Sequence, residues 1–195
     1  MSHGHPLPHD AAHLHVTGAA RYVDDLPCPA NCLHLAFGLS SIASGQITDL
    51  SLDRVRAHEG VIAVLTADDV PFSNDVSPAA GDEPLLSEGR VHYIGQPIFL
   101  VIATSHLSAR KAARLAQVTY AEHEAILSID QALAANSRFE DGPRIYQKGD
   151  PSAAIAQATH KIQGEIVIGG QEHFYLEGQA ALALPQDDQE MVVHS

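Results

Sequence analysis

Near the carboxyl-terminal end, Gly169-Gly170-Gln171-Glu172-His173-Phe174-Tyr175-Leu176-Glu177 sets an uncharged amide among aromatic residues, directly after an alternating apolar run. A neutral amide binds a high-valent metal poorly compared with thiolate, imidazole or carboxylate. It does offer N–H donors and a carbonyl acceptor in one planar group. Gln171 is therefore suited to donating a hydrogen bond to an oxygen ligand of a metal and holding that ligand set in orientation. The two preceding glycines would let the backbone come close to a cofactor. The same residues also allow a plainer arrangement, a bulge or turn at Gly169-Gly170 with Gln171 as an ordinary polar residue at a strand end.

Other chemistry-bearing residues form no comparable pattern. Glu172 and Glu177 would serve as a general base only if burial raised a carboxyl pKa. Ser, His and Asp are all present, but no Gly-x-Ser-x-Gly elbow joins them. A Walker loop and a dinucleotide fingerprint are absent as well. Five of the 13 histidines stand near the start, at His3, His5, His9, His13 and His15. Imidazoles in a flexible segment capture divalent metals, and adventitious affinity is the expectation here. Cys28 and Cys32 flank Pro29 at a spacing that matches neither a redox pair nor half of a zinc site, so both read as plain thiols.

The chain has 195 residues, of which 45% are hydrophobic and 18% charged, the profile of a globular protein with one or two domains. A formal net charge of −13 argues against phosphate backbones and anionic membrane surfaces as partners, which excludes nucleic-acid binding. No apolar stretch approaches the length needed to span a bilayer, and the polar start is unlike a signal peptide. The expectation is a cytoplasmic location.

The elements that position Gln171 can be read in order. Residues 1–15 form a loosely held His-rich arm with Pro6 and Pro8. Val16 to Pro27 follows as a turn, a short extended piece and a second turn, in which Asp24 and Asp25 are placed to hydrogen-bond the backbone. Leu33 to Leu39 alternates and predicts a half-buried strand, and Gly45 to Leu50 a second one. Leu52, Val55 and Arg56 predict a short helix ending at Gly60 in a left-handed cap. Val61 to Thr66 is a continuous apolar run, expected to be covered on both faces. Residues 72–89 are a Pro/Gly/Ser/Asp/Asn-rich surface loop. Ile98 to Ala103 is the most apolar run and the expected central strand. Ser105 is the expected N-cap of a helix reaching Ala116, with Leu107, Ala112, Leu115 and Ala116 on its apolar side. Gln117 to Tyr120 is a strand, and a short helix lies around Asp130 to Ala135. A linker occupies 136–150. Pro151 to Thr159 is a short amphipathic helix with Ala154, Ile155 and Ala158 on one face. Lys161 to Ile168 alternates as a strand that delivers Gln171, and Gly178 to Leu184 pairs with Glu190 to Val193.

The run from Gly169 to Glu177 resembles the glutamine motif of the molybdenum hydroxylases, the xanthine dehydrogenase and aldehyde oxidase family, in the form seen in bacterial xanthine dehydrogenase. From Val16 to about Leu133 the chain is also similar to that family's first domain, the α/β hammerhead. The similarity rests on Gly18, Tyr22 and the Asp24-Asp25 pair, on Gly95-Gln96-Pro97 before the central strand, and on an alanine-rich helix followed by Val118-Thr119-Tyr120. The resemblance implies an α/β (α+β) fold: a hammerhead over 16–135, then the first strands of a molybdopterin-binding domain over 151–195. It implies that Gln171 faces the molybdenum cofactor from beyond its direct ligands, that no residue here ligates the metal directly, and that Glu172 and Glu177 are structural. The family's pterin loop, its purine-handling residues and its catalytic glutamate have no counterpart in these residues. The expectation is a fragment of the molybdenum subunit of a xanthine dehydrogenase, inactive and without molybdopterin by itself. The complete enzyme would hydroxylate xanthine or hypoxanthine with oxygen from water. Electrons would pass to iron–sulfur clusters and FAD on a partner subunit and then to NAD. An aldehyde or N-heterocycle hydroxylase, and a non-catalytic domain that docks a redox subunit, are the alternatives.

Overall fold

The computed structural model describes residues 4, 6–78, 81–138, 142 and 144–195. His3, His5 and residues 139–141 and 143 of the expected linker lie outside the described residues. Two compact units are present, Asn31–Gly149 and a second one made of Met1–Ala30 with Asp150–Ser195. No helix among the described residues is long and apolar enough to cross a membrane.

In the unit Asn31–Gly149, strands β1 (His34–Leu39), β3 (Val61–Leu65) and β5 (Pro97–Ala103) form an antiparallel sheet in the order β1-β5-β3. Strands β2 (Gly45–Ser51), β4 (Arg90–Val91) and β6 (Gln117–Glu122) form another in the order β4-β2-β6. The apolar run Ile98 to Ala103 is the central strand β5, as its composition predicts. Phe99, Val101 and Ala103 point to one face and meet Ala109 and Ala112 of helix α3 (His106–Ala113) in the core. Helix α2 (Asp53–Arg56) adds Val55. Each large side chain buried there contributes about 1.5–3 kcal/mol. Ser105 caps α3 as expected, its hydroxyl accepting the Ser108 N–H at 3.1 Å. The helix stops at Ala113, short of the expected Ala116, and Leu107 is 63% exposed while Ala109 takes the inward position.

Gln96 of the Gly95-Gln96-Pro97 turn is a buried polar group with a structural task. Its Oε1 accepts the His92 N–H at 2.7 Å and its carbonyl accepts the Ser40 N–H at 2.9 Å. The Ser40 hydroxyl in turn donates to the Tyr93 carbonyl at 2.7 Å. A buried polar side chain persists only when it is satisfied in this way. The bonds close the loop that feeds β5 into the core.

Several elements differ from expectation. The run Val61 to Leu65 is an edge strand with Ile62 60% exposed, because β5 occupies the centre and leaves β3 one neighbour. Helix α2 ends at Ala57, and the left-handed Gly60 (φ 84) belongs to the turn into β3. The arm contains a helix, α1 (Ala12–Thr17), too short to show a periodicity. It closes on Gly18 (φ 71), with Gly18 N–H donating to His15 O and Ala19 N–H to Leu14 O. Helix α4 (Ile129–Ala134) lies where expected, capped by Ser128.

In the second unit, helix α5 (Pro151–Gln157) starts at an Asp150 cap. Its expected apolar face does not pack, since Ile155 is 65% exposed. The pair β7 (Leu182–Pro185) and β8 (Met191–His194) is antiparallel, with β7 shorter than the expected Gly178 to Leu184. Lys161 to Ile168 is not a strand: no ladder partner faces it among the described residues, and Ile162, Ile166 and Ile168 are 100%, 83% and 85% exposed.

Candidate functional site

Gln171 sits in an irregular exposed stretch after α5, and its amide has no hydrogen-bond partner among the described residues. An idealised Cβ on Gly169 or Gly170 would meet nothing within 4 Å, so the backbone on that side is open. Neither glycine has a positive φ. Beyond Gln171 the chain stays irregular, with bends at Leu176, Glu177 and Gln179. Phe174 takes a left-handed conformation (φ 54), and its N–H donates to Glu172 Oε1 at 3.2 Å. The Gln179 amide donates to the Tyr175 hydroxyl at 3.0 Å.

Glu177 ties this stretch to a distant part of the chain. Its Oε1 accepts the Val23 N–H at 2.8 Å, across 154 residues and partly buried. Val23 opens a 3-10 turn, Val23–Asp25, which the Tyr22 N–H closes by donating to Asp25 Oδ2 at 3.0 Å. The Tyr22 hydroxyl lies 3.1 Å from His15 Nδ1. Asp25 thus makes the backbone bond expected of it. The partner Val23 carries no signal in the sequence, since a backbone N–H is common to every residue but proline.

Among the described residues, two recesses are open enough to take a small molecule. One, of about 400 Å³, is lined by Ile47, Leu50, Ile98, Asp68 and Glu88 in the unit Asn31–Gly149. The other, of about 450 Å³, lies in the second unit beside Arg21, Tyr22, Glu177 and His194. Gln171 lines neither of them. Among the described residues no three His, Cys, Asp or Glu side chains come together as a metal site. His9 and His15 have ring centroids 6.1 Å apart, and His9 Nδ1 is occupied by the Ala11 N–H at 3.2 Å. Cys28 is exposed, and Cys32 Sγ donates to the Leu33 carbonyl at 3.5 Å. What the stretch offers a ligand is one unengaged amide above open backbone.

Residues 17–124 match the family described as aldehyde oxidase and xanthine dehydrogenase, a/b hammerhead domain. Residues 136–195 match the molybdopterin cofactor-binding domain. The fold is thus an α/β hammerhead followed by the start of a molybdopterin-binding domain, the build of a molybdenum hydroxylase. The chain belongs to the xanthine dehydrogenase and aldehyde oxidase family. It is 39% identical to aldehyde oxidase 4 of Rattus norvegicus over 98% of its own length and 14% of that protein's. It is 40% identical to xanthine dehydrogenase of Drosophila subobscura, over 96% of this chain and 14% of the relative. An aldehyde oxidoreductase from Desulfovibrio gigas superimposes with a TM-score of 0.79 at 29% identity, over 96% of this chain and 23% of that one. A quinoline 2-oxidoreductase from Pseudomonas putida 86 superimposes with a TM-score of 0.63 at 25% identity, over 80% and 22%. The chain therefore spans about 14% of the length of these curated relatives.

Proposed function

We propose that this chain is the hammerhead and entry portion of the molybdenum-binding polypeptide of a cytoplasmic, xanthine dehydrogenase-like hydroxylase, with the hammerhead over 16–135 and the second domain starting at 151. The observation that carries the reading is the Gln171 amide, unengaged and beside open backbone, inside the stretch that matches the molybdopterin-binding family. With no cluster of ligating side chains among the described residues, a metal held there needs ligands of its own, and an amide donor suits that arrangement. The molybdenum–pterin group would supply the two-electron redox chemistry by which water-derived oxygen reaches xanthine or hypoxanthine.

The role of this chain is narrower. Gln171 donates a hydrogen bond that fixes the orientation of the group, and Gly169 and Gly170 leave room for its approach. The remaining machinery, including the base, belongs to the rest of the molybdenum polypeptide, and the iron–sulfur clusters and FAD that pass electrons to NAD belong to a partner subunit. Similarity to an aldehyde oxidase and to an aldehyde oxidoreductase favours a second reading in which the substrate is an aldehyde. Oxidation of xanthine against benzaldehyde by the complete enzyme separates the two, and turnover of the aldehyde alone would reverse the choice. In the complete enzyme Gln171→Ala should lower turnover about 10–100-fold with the fold intact. Unchanged turnover and metal content would show that Gln171 stands elsewhere.

A further inference from the structure

We propose that Glu177 is a positioning residue for Gln171, acting through its hydrogen bond to the Val23 N–H. The inference rests on the assignment of Gln171 to the cofactor and adds how that amide is held. Residues 160–181 make no backbone-to-backbone hydrogen bond among the described residues, and Ile162, Ile166 and Ile168 are largely exposed. A donor carried by such a stretch would sample many orientations, and each kcal/mol lost to misorientation weakens the bond it makes. The Glu177 carboxylate supplies the missing anchor at 2.8 Å, six positions along the chain from Gln171.

The anchor is well made at both ends. Val23 is the first residue of its 3-10 turn, so its N–H has no acceptor within the turn, and a carboxylate satisfies it with a charge-assisted bond. The turn is itself closed by Asp25 on the Tyr22 N–H and by Leu26 N–H on the Val23 carbonyl. Both partners belong to the same compact unit. Between Glu177 and Gln171 the local restraints are the Phe174 N–H donating to Glu172 Oε1 at 3.2 Å and the left-handed Phe174. An oxygen engaged by Val23 makes Glu177 a tether and leaves the proton chemistry to other groups.

The test uses the complete enzyme with Glu177→Ala, Glu177→Gln, Gln171→Ala and the double variant Gln171→Ala/Glu177→Ala. Expected are a fall of about tenfold in kcat for Glu177→Ala with KM unchanged, and recovery of most of it in Glu177→Gln, whose amide oxygen still accepts the Val23 N–H. In the Gln171→Ala background the Glu177→Ala change should cost nothing further. Hydrogen exchange supplies a readout independent of turnover: the amides of Val23 and of residues 171–177 should exchange faster in Glu177→Ala and as in the parent in Glu177→Gln. Unchanged exchange at Val23 would remove the tether. Faster exchange with unchanged kcat, or an equal loss in Glu177→Gln, would remove the positioning role while leaving Gln171 in place. If Gln171→Ala itself has no effect on turnover, the assignment beneath falls and this role falls with it.

Discussion

Replacing Gly38 by alanine should injure the hammerhead core severely, and a second substitution should partly repair it. Gly38 is buried in β1 opposite Phe99 of β5, and the Phe99 ring lies across the space where a side chain would be. A Cβ on Gly38 would fall 2.0 Å from two ring carbons of Phe99, where ordinary contact begins at 3.4 Å. The ring would have to retreat by about 1.4 Å, yet it is 1% exposed and enclosed by the core. Overpacking of this kind costs about 1–3 kcal/mol, and the depth of the overlap places Gly38→Ala at the upper end. Phe99→Ala should cost about 3–5 kcal/mol through lost burial and the cavity left behind. In the double variant the new methyl enters space the ring has vacated, so the combined loss should fall short of the sum by about 1–2 kcal/mol. The chain has no tryptophan, so urea unfolding is best followed by far-ultraviolet circular dichroism, with ΔG taken from midpoint and slope. Losses that add to within about 0.5 kcal/mol would refute the packing argument, because independent sites behave that way.

Three further outcomes are expected. Ser105→Ala should cost about 1 kcal/mol by leaving the Ser108 N–H at the start of α3 without its acceptor, and Ser105→Asp should recover most of it in the same urea titration. Asp69 is held below the ordinary aspartate value of 3.8 by the Thr66 N–H and hydroxyl, and Asp75 likewise by the Ser77 N–H and hydroxyl. A carboxyl depressed on folding stabilises fully above its unfolded pKa and loses that contribution as pH falls through the folded one. Stability should therefore decline below about pH 4, and Asp69→Asn/Asp75→Asn should flatten that acid limb; an identical limb would refute it. On the outer face of β1, Leu35 and Phe37 are 54% and 44% exposed, so Leu35→Ser/Phe37→Ser should reduce binding of the dye ANS and lower stability by about 1–2 kcal/mol through the half of each side chain that is buried. Unchanged ANS binding would show that this face is not what the dye meets.

What the sequence displays best is what a single segment can specify. Ile98 to Ala103 announces a buried central strand by composition, Ser105 announces a cap by residue type, and Gly95-Gln96-Pro97 marks the turn that Gln96 locks from inside. Strand β1 shows the limit of that logic. Its alternation is plain, yet the large residues Leu35, Phe37 and Leu39 point outward, while His34, Ala36 and Gly38 face the other way. The inward side is small because Phe99 needs the volume, and that requirement comes from another strand.

The same limit explains the candidate site. Lys161 to Ile168 has the period of a strand, but a strand is defined by a ladder, and its hydrogen bonds belong to two segments at once. Where no partner strand stands beside it, the pattern remains in the residues and the conformation does not form, which leaves isoleucines exposed and the Gln171 amide on irregular chain. Among the described residues, the hydrogen bonds near Gln171 are a few side-chain bonds instead of a ladder. Glu177 can supply one because the helical N–H of Val23, with no acceptor inside its own turn, donates to a well-placed carboxylate whatever the side chain of residue 23. Such a contact is invisible to composition, periodicity and motif alike, since half of it is backbone. Gln171 is thus singled out in the sequence by its type and surroundings as a candidate, and the Glu177 bond to the Val23 N–H became visible through the fold alone.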